Sequence, residues 1–397
     1  MGLGEMTMPA ASSDARSALC RRDLTIGFPY VADRFGGSTV SSMILARTLA
    51  DSGHRVHILS HGHGRLVDEA SAKGLDVARL PTLPSLSDTS RSDRFHSENL
   101  LAFGTCSRAI RRLALDIVHV NDLAMLRTWA LPARSTSAKL VVHWRSNYRN
   151  SWSVNACLRL AHVVVAVSEY SKSALPGWVQ AKTIVEYNPF GIFYEASRRS
   201  AARTRIRSQL GIPETAAVIG IFGNHTVRKR THILADVLKS VVSTANGRPV
   251  YGLACGGRIA PYDTLLDEKI AAFQLEQRLL RPGFVRPVED WMAACDVILA
   301  PAEREPLARN VLEAQGVGVP VIVSRDGGLR EIVMDGETGI VLDPLRTDDW
   351  IAGVRSVLDD KELAEKMSVQ AQRQLEKLSP DQHASRIAEI YAGLTRR

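Results

Sequence analysis

Short, β-branched apolar runs recur along the whole chain and never lengthen. Val163-Val164-Val165-Ala166-Val167 and Val297-Ile298-Leu299-Ala300 are among the longest. Runs of this length bounded by turn residues read as strands buried on both faces. Helical patterns separate them, and strands so separated pair in parallel through right-handed crossovers. No run approaches the roughly 20 apolar residues of a membrane span. The chain therefore folds as α/β, in open parallel sheets covered by helices, and 397 residues suffice for two domains.

In the first half, strands are expected at Leu24–Phe28, Val56–Leu59, Val77–Leu80, Ile117–Val120, Leu140–His143 and Val163–Val167. The first strand runs into Asp33-Arg34-Phe35-Gly36-Gly37-Ser38, and a helix follows over roughly 39–52, stopped at Gly53. Residues 81–96 are rich in Ser, Pro and Asp and read as a surface loop. A second block has strands at Val218–Phe222, Val250–Ala254, Val297–Ala300 and Val319–Val323. Residues 189–215 are Arg- and Ser-rich, lack a sheet pattern and are assigned to the linker. Ser379-Pro380 is a start signal for a last helix. The division is a disordered lead-in over 1–22, a first domain over 23–190, a second over 191–378 and a terminal helix over 379–397.

Hydrophobic content of 45% and charged content of 23% are globular values. The N-terminus has no basic-then-apolar secretion pattern. Cys20, Cys106, Cys157, Cys255 and Cys295 are an odd number at wide spacing, which argues for reduced thiols in a cytoplasmic protein. The net charge of +8 is concentrated in the first half. That points to an anionic substrate or to peripheral contact with an anionic membrane at its inner face. Aromatic content of 6% and the absence of basic runs interleaved with aromatics speak against nucleic acid. His57, His61 and His63 lack a close carboxylate in sequence and are read as a strand running into a loop, so no metal site is expected.

Chemistry concentrates in Glu305-Pro306-Leu307-Ala308-Arg309-Asn310-Val311-Leu312-Glu313-Ala314. The segment joins two buried strands and should open a helix after Pro306. One carboxylate then sits on a loop at a strand's C-terminal end and the second inside the next helix. In open α/β sheets that edge binds ligands. Eight helical residues span at most about 12 Å, a reach that suits two parts of one elongated ligand.

With Gly318-x-Pro320-Val321 and Asp326-Gly327-Gly328-x-x-Glu331 behind it, this segment resembles the E-x7-E signature of retaining family-4 glycosyltransferases of the GT-B fold. From about Leu24 to about Gly393 the order of elements is similar to that family. The resemblance implies two Rossmann-like domains facing a cleft, acceptor on the first, a nucleotide-sugar on the second, and a last helix crossing back. It puts Glu305 against the donor sugar and Glu313 on the ribose. Lys229 falls where the family's Lys neutralises the donor diphosphate, an anion that must be stabilised as the bond breaks. Asn224 stands where the family has Arg, and Arg228 or Arg230 is the substitute cation. Gly36-Gly37 matches a loop facing the cleft, with Gly36 toward acceptor and Gly37 toward donor.

His143, taken as the end of its strand, is assigned to the reacting centre. Arg145 and Arg149 beyond it suggest an anionic acceptor group, and Asn188 lies at the domain junction on the acceptor side. Val285 belongs to the loop around the nucleobase and Arg258 to a Gly-rich turn facing donor. Leu307-Ala308 replaces the frequent Phe-Gly that meets sugar hydroxyls, and the added Cβ narrows that approach. The implied activity is α-retaining, metal-independent transfer from a UDP- or GDP-linked sugar, without a cofactor. The acceptor is a sugar, a lipid-linked or a small-molecule hydroxyl, in surface polysaccharide or glycoconjugate synthesis. A non-catalytic nucleotide-sugar-binding protein, or another enzyme of this fold such as an epimerase, stays open at this point.

Overall fold

The computed structural model describes residues 23–31, 36–83, 96–148 and 150–396. The lead-in with Cys20, the stretch Asp33-Arg34-Phe35, most of the segment 81–96 and Arg149 lie outside those residues.

The first sheet holds β1 (Thr25–Tyr30), β2 (Arg55–His61), β3 (Asp76–Leu80), β4 (Ile117–Val120), β5 (Lys139–Trp144), β6 (Val163–Ala166) and β7 (Thr183–Val185). Its order is β3-β2-β1-β4-β5-β6-β7, and every pairing is parallel. The second sheet holds β8 (Ala217–Phe222), β9 (Val250–Cys255), β10 (Leu279–Gly283), β11 (Val297–Ala300), β12 (Val321–Ser324) and β13 (Ile340–Leu342). Its order is β10-β9-β8-β11-β12-β13, again all parallel. The expected pair of Rossmann-like domains is therefore present. In each sheet the strand order reverses beside its first strand, between β1 and β4 and between β8 and β11. That reversal opens a crevice at the carboxyl edge.

Both reversals use the same brace. Asp116, just before β4, takes the Thr25 N–H on Oδ2 (2.9 Å) and gives its own N–H to the Thr25 carbonyl (2.8 Å). Asp296, just before β11, does the same with Val218, at 2.7 and 2.8 Å. A carboxylate paired with a strand-end N–H is a charge-assisted bond and fixes where each sheet splits.

Three strands escaped the sequence pattern: β7, β10 and β13. They lie at sheet edges, are three to five residues long and are only partly buried, and none carries an apolar run of more than three residues. The segment taken as linker is also corrected. Residues Ala196–Leu210 form a helix of the second domain, which packs Ala202 and Ile206 into its core. Its fully buried Arg207 bonds the Ala294, Glu214 and Ala216 carbonyls and Asp296. A helix that buries Arg in place of Leu has no apolar stripe for sequence reading to find.

Helices label as follows: α1 Gly37–Asp51, α2 Arg65–Ala72, α3 Glu169–Ser173, α4 Ala196–Leu210, α5 Tyr262–Ala272, α6 Arg309–Val317, α7 Leu329–Ile332 and α8 Pro380–Thr395. α6 begins at Arg309, so Leu307-Ala308, expected as the first helical residues after Pro306, extend the loop. α8 starts at Pro380, with the Ser379 hydroxyl accepting from the Gln382 N–H. It buries Ala384, Ile387 and Tyr391 in one cluster with Ile26, Phe28, Leu45 and Ile58 of the first domain. Full burial of a side chain such as Ile387 stabilises by about 2 kcal/mol. No described helix is long and apolar enough to cross a membrane.

Candidate active site

A cleft of about 710 Å³ lies between the carboxyl edges of the two sheets. Gly36, Gly37, Arg145 and Asn188 line it from the first domain. Asn224, Lys229, Val285, Glu305, Leu307 and Glu313 line it from the second. The cleft joins ten of the residues singled out from sequence. Arg228, Ala308, His143 and Arg258 stand off its wall, and Arg149 lies outside the described residues.

Glu305 follows β11 on a loop and forms a bridge with Gly327. Gly327 has a φ of +87°, and a Cβ there would sit 2.4 Å from the Glu305 carbonyl oxygen. Only Gly permits that approach. The Glu305 side chain is 9% exposed and ion-paired to Arg228 and to Lys229, the latter at 2.9 Å. Burial pushes its carboxyl up, but the two cations more than offset this and hold it below the usual carboxylate range. Arg228 thus supplies the second cation beside Lys229, whereas Arg230 is taken by Glu303 at 2.7 Å.

Asn224 has a different job from the Arg it replaces. Its Oδ1 accepts from the Gly257 N–H at 3.1 Å and braces the turn after β9. In that turn Gly256, with φ of +153°, has its Cβ position 2.0 Å from the Gly223 carbonyl. The two Gly-rich turns therefore pack backbone to backbone at the cleft floor.

Glu313 lies in the second turn of α6, 12% exposed, with Arg309 Nε 2.8 Å from Oε1. Burial raises its carboxyl to about 7; Arg309 opposes this and Glu289 adds to it. Arg309 was part of the motif but had no role in the sequence reading. It is 7% exposed, and its Nη1 donates to Ser41 Oγ of α1 at 3.1 Å, tying the two domains. Asn310 Nδ2 donates to the Phe222 carbonyl at 2.8 Å and locks α6 to the end of β8. Arg65 and Glu69 of α2, with Arg286 and Glu289, complete the far end of the cleft. Arg286 Nη1 lies 3.8 Å from Glu69 Oε1 across the domains. No local signal marks α2, because its place opposite Arg286 exists only once the domains dock.

His143 is corrected. It is 1% exposed and does not line the cleft. β5 runs on to Trp144, so the sheet's carboxyl edge falls at Arg145 rather than at His143. His143 Nδ1 accepts from Arg145 Nη2 at 3.1 Å and faces His119 Nε2 at 3.2 Å. Arginine has only donors, so the His143 proton sits on Nε2. Tyr391 OH of α8 donates to His119 Nδ1 at 2.6 Å, and His383 of α8 stacks on His143 with centroids 6.0 Å apart. Burial, then Arg145, depresses both His119 and His143 well below the usual histidine range. His143 is a neutral support for Arg145.

Arg258 is corrected as well. It pairs with Asp263 and, at 2.8 Å, Asp267, one turn apart on α5, and does not line the cleft. Ala308 is buried behind the loop beside Asn310, so its Cβ packs inward. Leu307 faces the cleft. Val285 lines it beside Phe284 and Arg286. The histidines near β2 have protein partners: His57 Nδ1 lies 2.6 Å from Asp76, and His61 accepts from Trp129 Nε1 at 3.1 Å.

The Asp326-Gly327-Gly328-x-x-Glu331 run has an interdomain task. Glu331 of α7 accepts from the Glu169 and Tyr170 N–H groups at the start of α3, each at 2.8 Å, and from Tyr187 OH at 3.1 Å. Ser168 Oγ donates to the Pro306 carbonyl at 2.6 Å beside it.

Comparison with known proteins agrees with this architecture. Residues 35–189 match the family described as Glycosyltransferase Family 4, and residues 202–374 match Glycosyl transferases group 1. A D-inositol 3-phosphate glycosyltransferase of Corynebacterium urealyticum is 28% identical over 204 residues, covering 49% of this chain and 47% of that protein. The lipopolysaccharide core biosynthesis mannosyltransferase LpsB of Rhizobium meliloti is 27% identical over 201 residues, covering 49% and 56%. The chain thus spans about half the length of the curated relatives it matches. Anabaena Alr3699/HepE, solved in complex with UDP and glucose, superposes with a TM-score of 0.79 at 21% identity, covering 93% of this chain and 100% of that one. That likeness concerns the fold. The two family matches together take in most of the chain, which belongs to the GT-B glycosyltransferases, with a family-4 first half and a group-1 second half.

Proposed function

We propose that the protein transfers a sugar from a nucleoside diphosphate to an acceptor hydroxyl, with retention, giving an α-linkage. One observation carries the reading: Glu305 and Glu313 project into one interdomain cleft, the first beside two cations and the second beside Arg309. Glu313 accepts hydrogen bonds from ribose hydroxyls. Glu305 meets the sugar. The diphosphate competes with Glu305 for Lys229 and Arg228, which stabilise charge as the leaving group departs. These cations supply the neutralisation that a divalent ion would otherwise give. A carboxylate held by two cations is a poor nucleophile, which supports reaction on one face without a glycosyl-enzyme intermediate. Domain closure through Arg309 and Glu331 excludes water from the reacting centre. The donor base is uracil or guanine, and the four described cysteines, all free, fit work in the cytoplasm. The non-catalytic alternative rested on Asn224, and the pairing of Arg228 with Glu305 beside Lys229 speaks against it.

Thermal shift and calorimetry against UDP-, GDP- and ADP-sugars, with Glu313→Ala as control, test the donor site. One nucleotide should raise the melting temperature in the wild type and fail to do so in the variant. Stabilisation by none of them overturns the donor assignment. The anomeric proton coupling of the product, read by NMR, tests retention, and an inverted product removes it.

A further inference from the structure

The cations lining the cleft are unevenly neutralised. Lys229 has Glu305 at 2.9 Å and Arg309 has Glu313 at 2.8 Å. Arg65 and Arg286 share Glu69, at 3.5 and 3.8 Å. Arg145 differs: among the described residues it has no carboxylate within 4 Å. It is held by neutral groups alone. Nε donates to Asn121 Oδ1 at 3.2 Å, Nη2 to His143 Nδ1 at 3.1 Å, and Nη1 to Asn188 Oδ1. A guanidinium has five N–H donors, and three are used. One remains on each terminal nitrogen, the pair that grips two oxygens of a phosphate or carboxylate.

Arg145 is half-buried at the cleft wall, and a guanidinium withdrawn even partly from water gains from an anionic partner. Burial draws Arg145 below its usual range, and the nearby Arg309 guanidinium draws it the same way. A cation held rigidly against that cost, with two donors left over at a cleft wall, is a site that waits for an anion. Asn121, His143 and Asn188 all belong to the first domain, as does the start of α1, which has no acidic residue in its first turn. The proposed donor anchors Lys229, Glu305 and Glu313 all belong to the second.

We propose that Arg145 is an anion-binding subsite on the acceptor side, taking a phosphate or carboxylate group carried by the acceptor. The inference rests on the transferase reading above and adds the acceptor's chemical class to it. His143 and Asn188 are positioning residues that aim the fork.

The test is a calorimetric titration of inorganic phosphate into the full chain already saturated with its nucleoside diphosphate. Phosphate should bind alongside the nucleotide. Arg145→Met should weaken phosphate by about tenfold or more while nucleotide affinity stays put. Arg145→Lys keeps the charge without the fork and should fall between them, which keeps the test alive if the Met variant does not fold. Phosphate that competes with the nucleotide overturns the proposal, as does a parallel loss of both affinities in Arg145→Met. Either result gives Arg145 to the donor diphosphate. No phosphate binding to the saturated protein overturns it too. If the protein binds no nucleoside diphosphate, the donor reading fails separately, and phosphate titrated into the free protein still reads Arg145.

Discussion

Burial lifts the Glu313 carboxyl to about 7. The charged groups that act on it are Arg309 of its own helix, Glu289 and Arg286. In its proposed role as ribose acceptor it must be ionised, so the sign is fixed. Nucleoside diphosphate affinity should be constant above pH 8. It should weaken by about tenfold for each unit below 7, as the carboxyl takes up its proton. Calorimetry between pH 5.5 and 8.5 measures this, and Glu313→Gln should be weak and flat across the range. An affinity that ignores pH in the wild type would remove Glu313 from the ribose. Glu305 and Glu313 were legible in the sequence because their spacing is local: one strand, one loop, one helix. Arg145 and His143 were harder. They lie two residues apart, and which one meets the cleft depends on where β5 stops, which sequence gives only to within a residue or two. Arg309's bond to Ser41 spans the two domains, so no local pattern holds it.

Loops and helices set the next scale. Gly327 is forced by the Glu305 carbonyl, so Gly327→Ala should cost about 1–3 kcal/mol, by urea denaturation, from the positive φ alone. It should also displace Glu305 and lower turnover, while Gly336→Ala, with a φ of +74° but open space around it, should lose stability without losing turnover. The seam between α8 and the first sheet gives a pH effect on stability. His119 and His143 are well below the usual histidine range through burial and then Arg145. His383 is below it through burial, against the pull of Glu186. Depressed pKa values mean the unfolded chain binds these protons first. Stability is therefore intact above about pH 6.5 and lost as pH falls below it, at up to about 1.4 kcal/mol per pH unit for each histidine. Urea midpoints at pH 7.5 and 5.5 measure the loss, and His383→Gln should reduce the slope. The long central strands and α8 were legible from their apolar runs and the Ser379-Pro380 start. The edge strands β7, β10 and β13 and helix α4 were not, because short, partly exposed strands and a helix anchored by a buried arginine leave no periodic trace.

At the scale of the whole molecule, the question is what couples the two domains. Glu331 reaches from α7 to the start of α3 and accepts two backbone N–H bonds and one from Tyr187, three contacts with one carboxylate. Charge-assisted bonds of this kind contribute about 1.5–3 kcal/mol each where they are shielded, and less at the exposed Glu169 N–H. Losing them should move the balance between closed and open arrangements by about tenfold to a hundredfold. Glu331 does not line the cleft, so its loss should leave nucleotide contacts intact. Glu331→Ala should therefore bind nucleoside diphosphate nearly as well as wild type, yet show a larger radius of gyration by small-angle scattering. Transfer to acceptor should fall, and the fraction of donor lost to water should rise, because an open cleft admits solvent before the acceptor is seated. Glu331→Gln, which keeps an acceptor oxygen, should sit between the two. Unchanged scattering together with an unchanged partition between transfer and hydrolysis would make Glu331 a packing contact, and closure would then rest on Arg309 and Ser41.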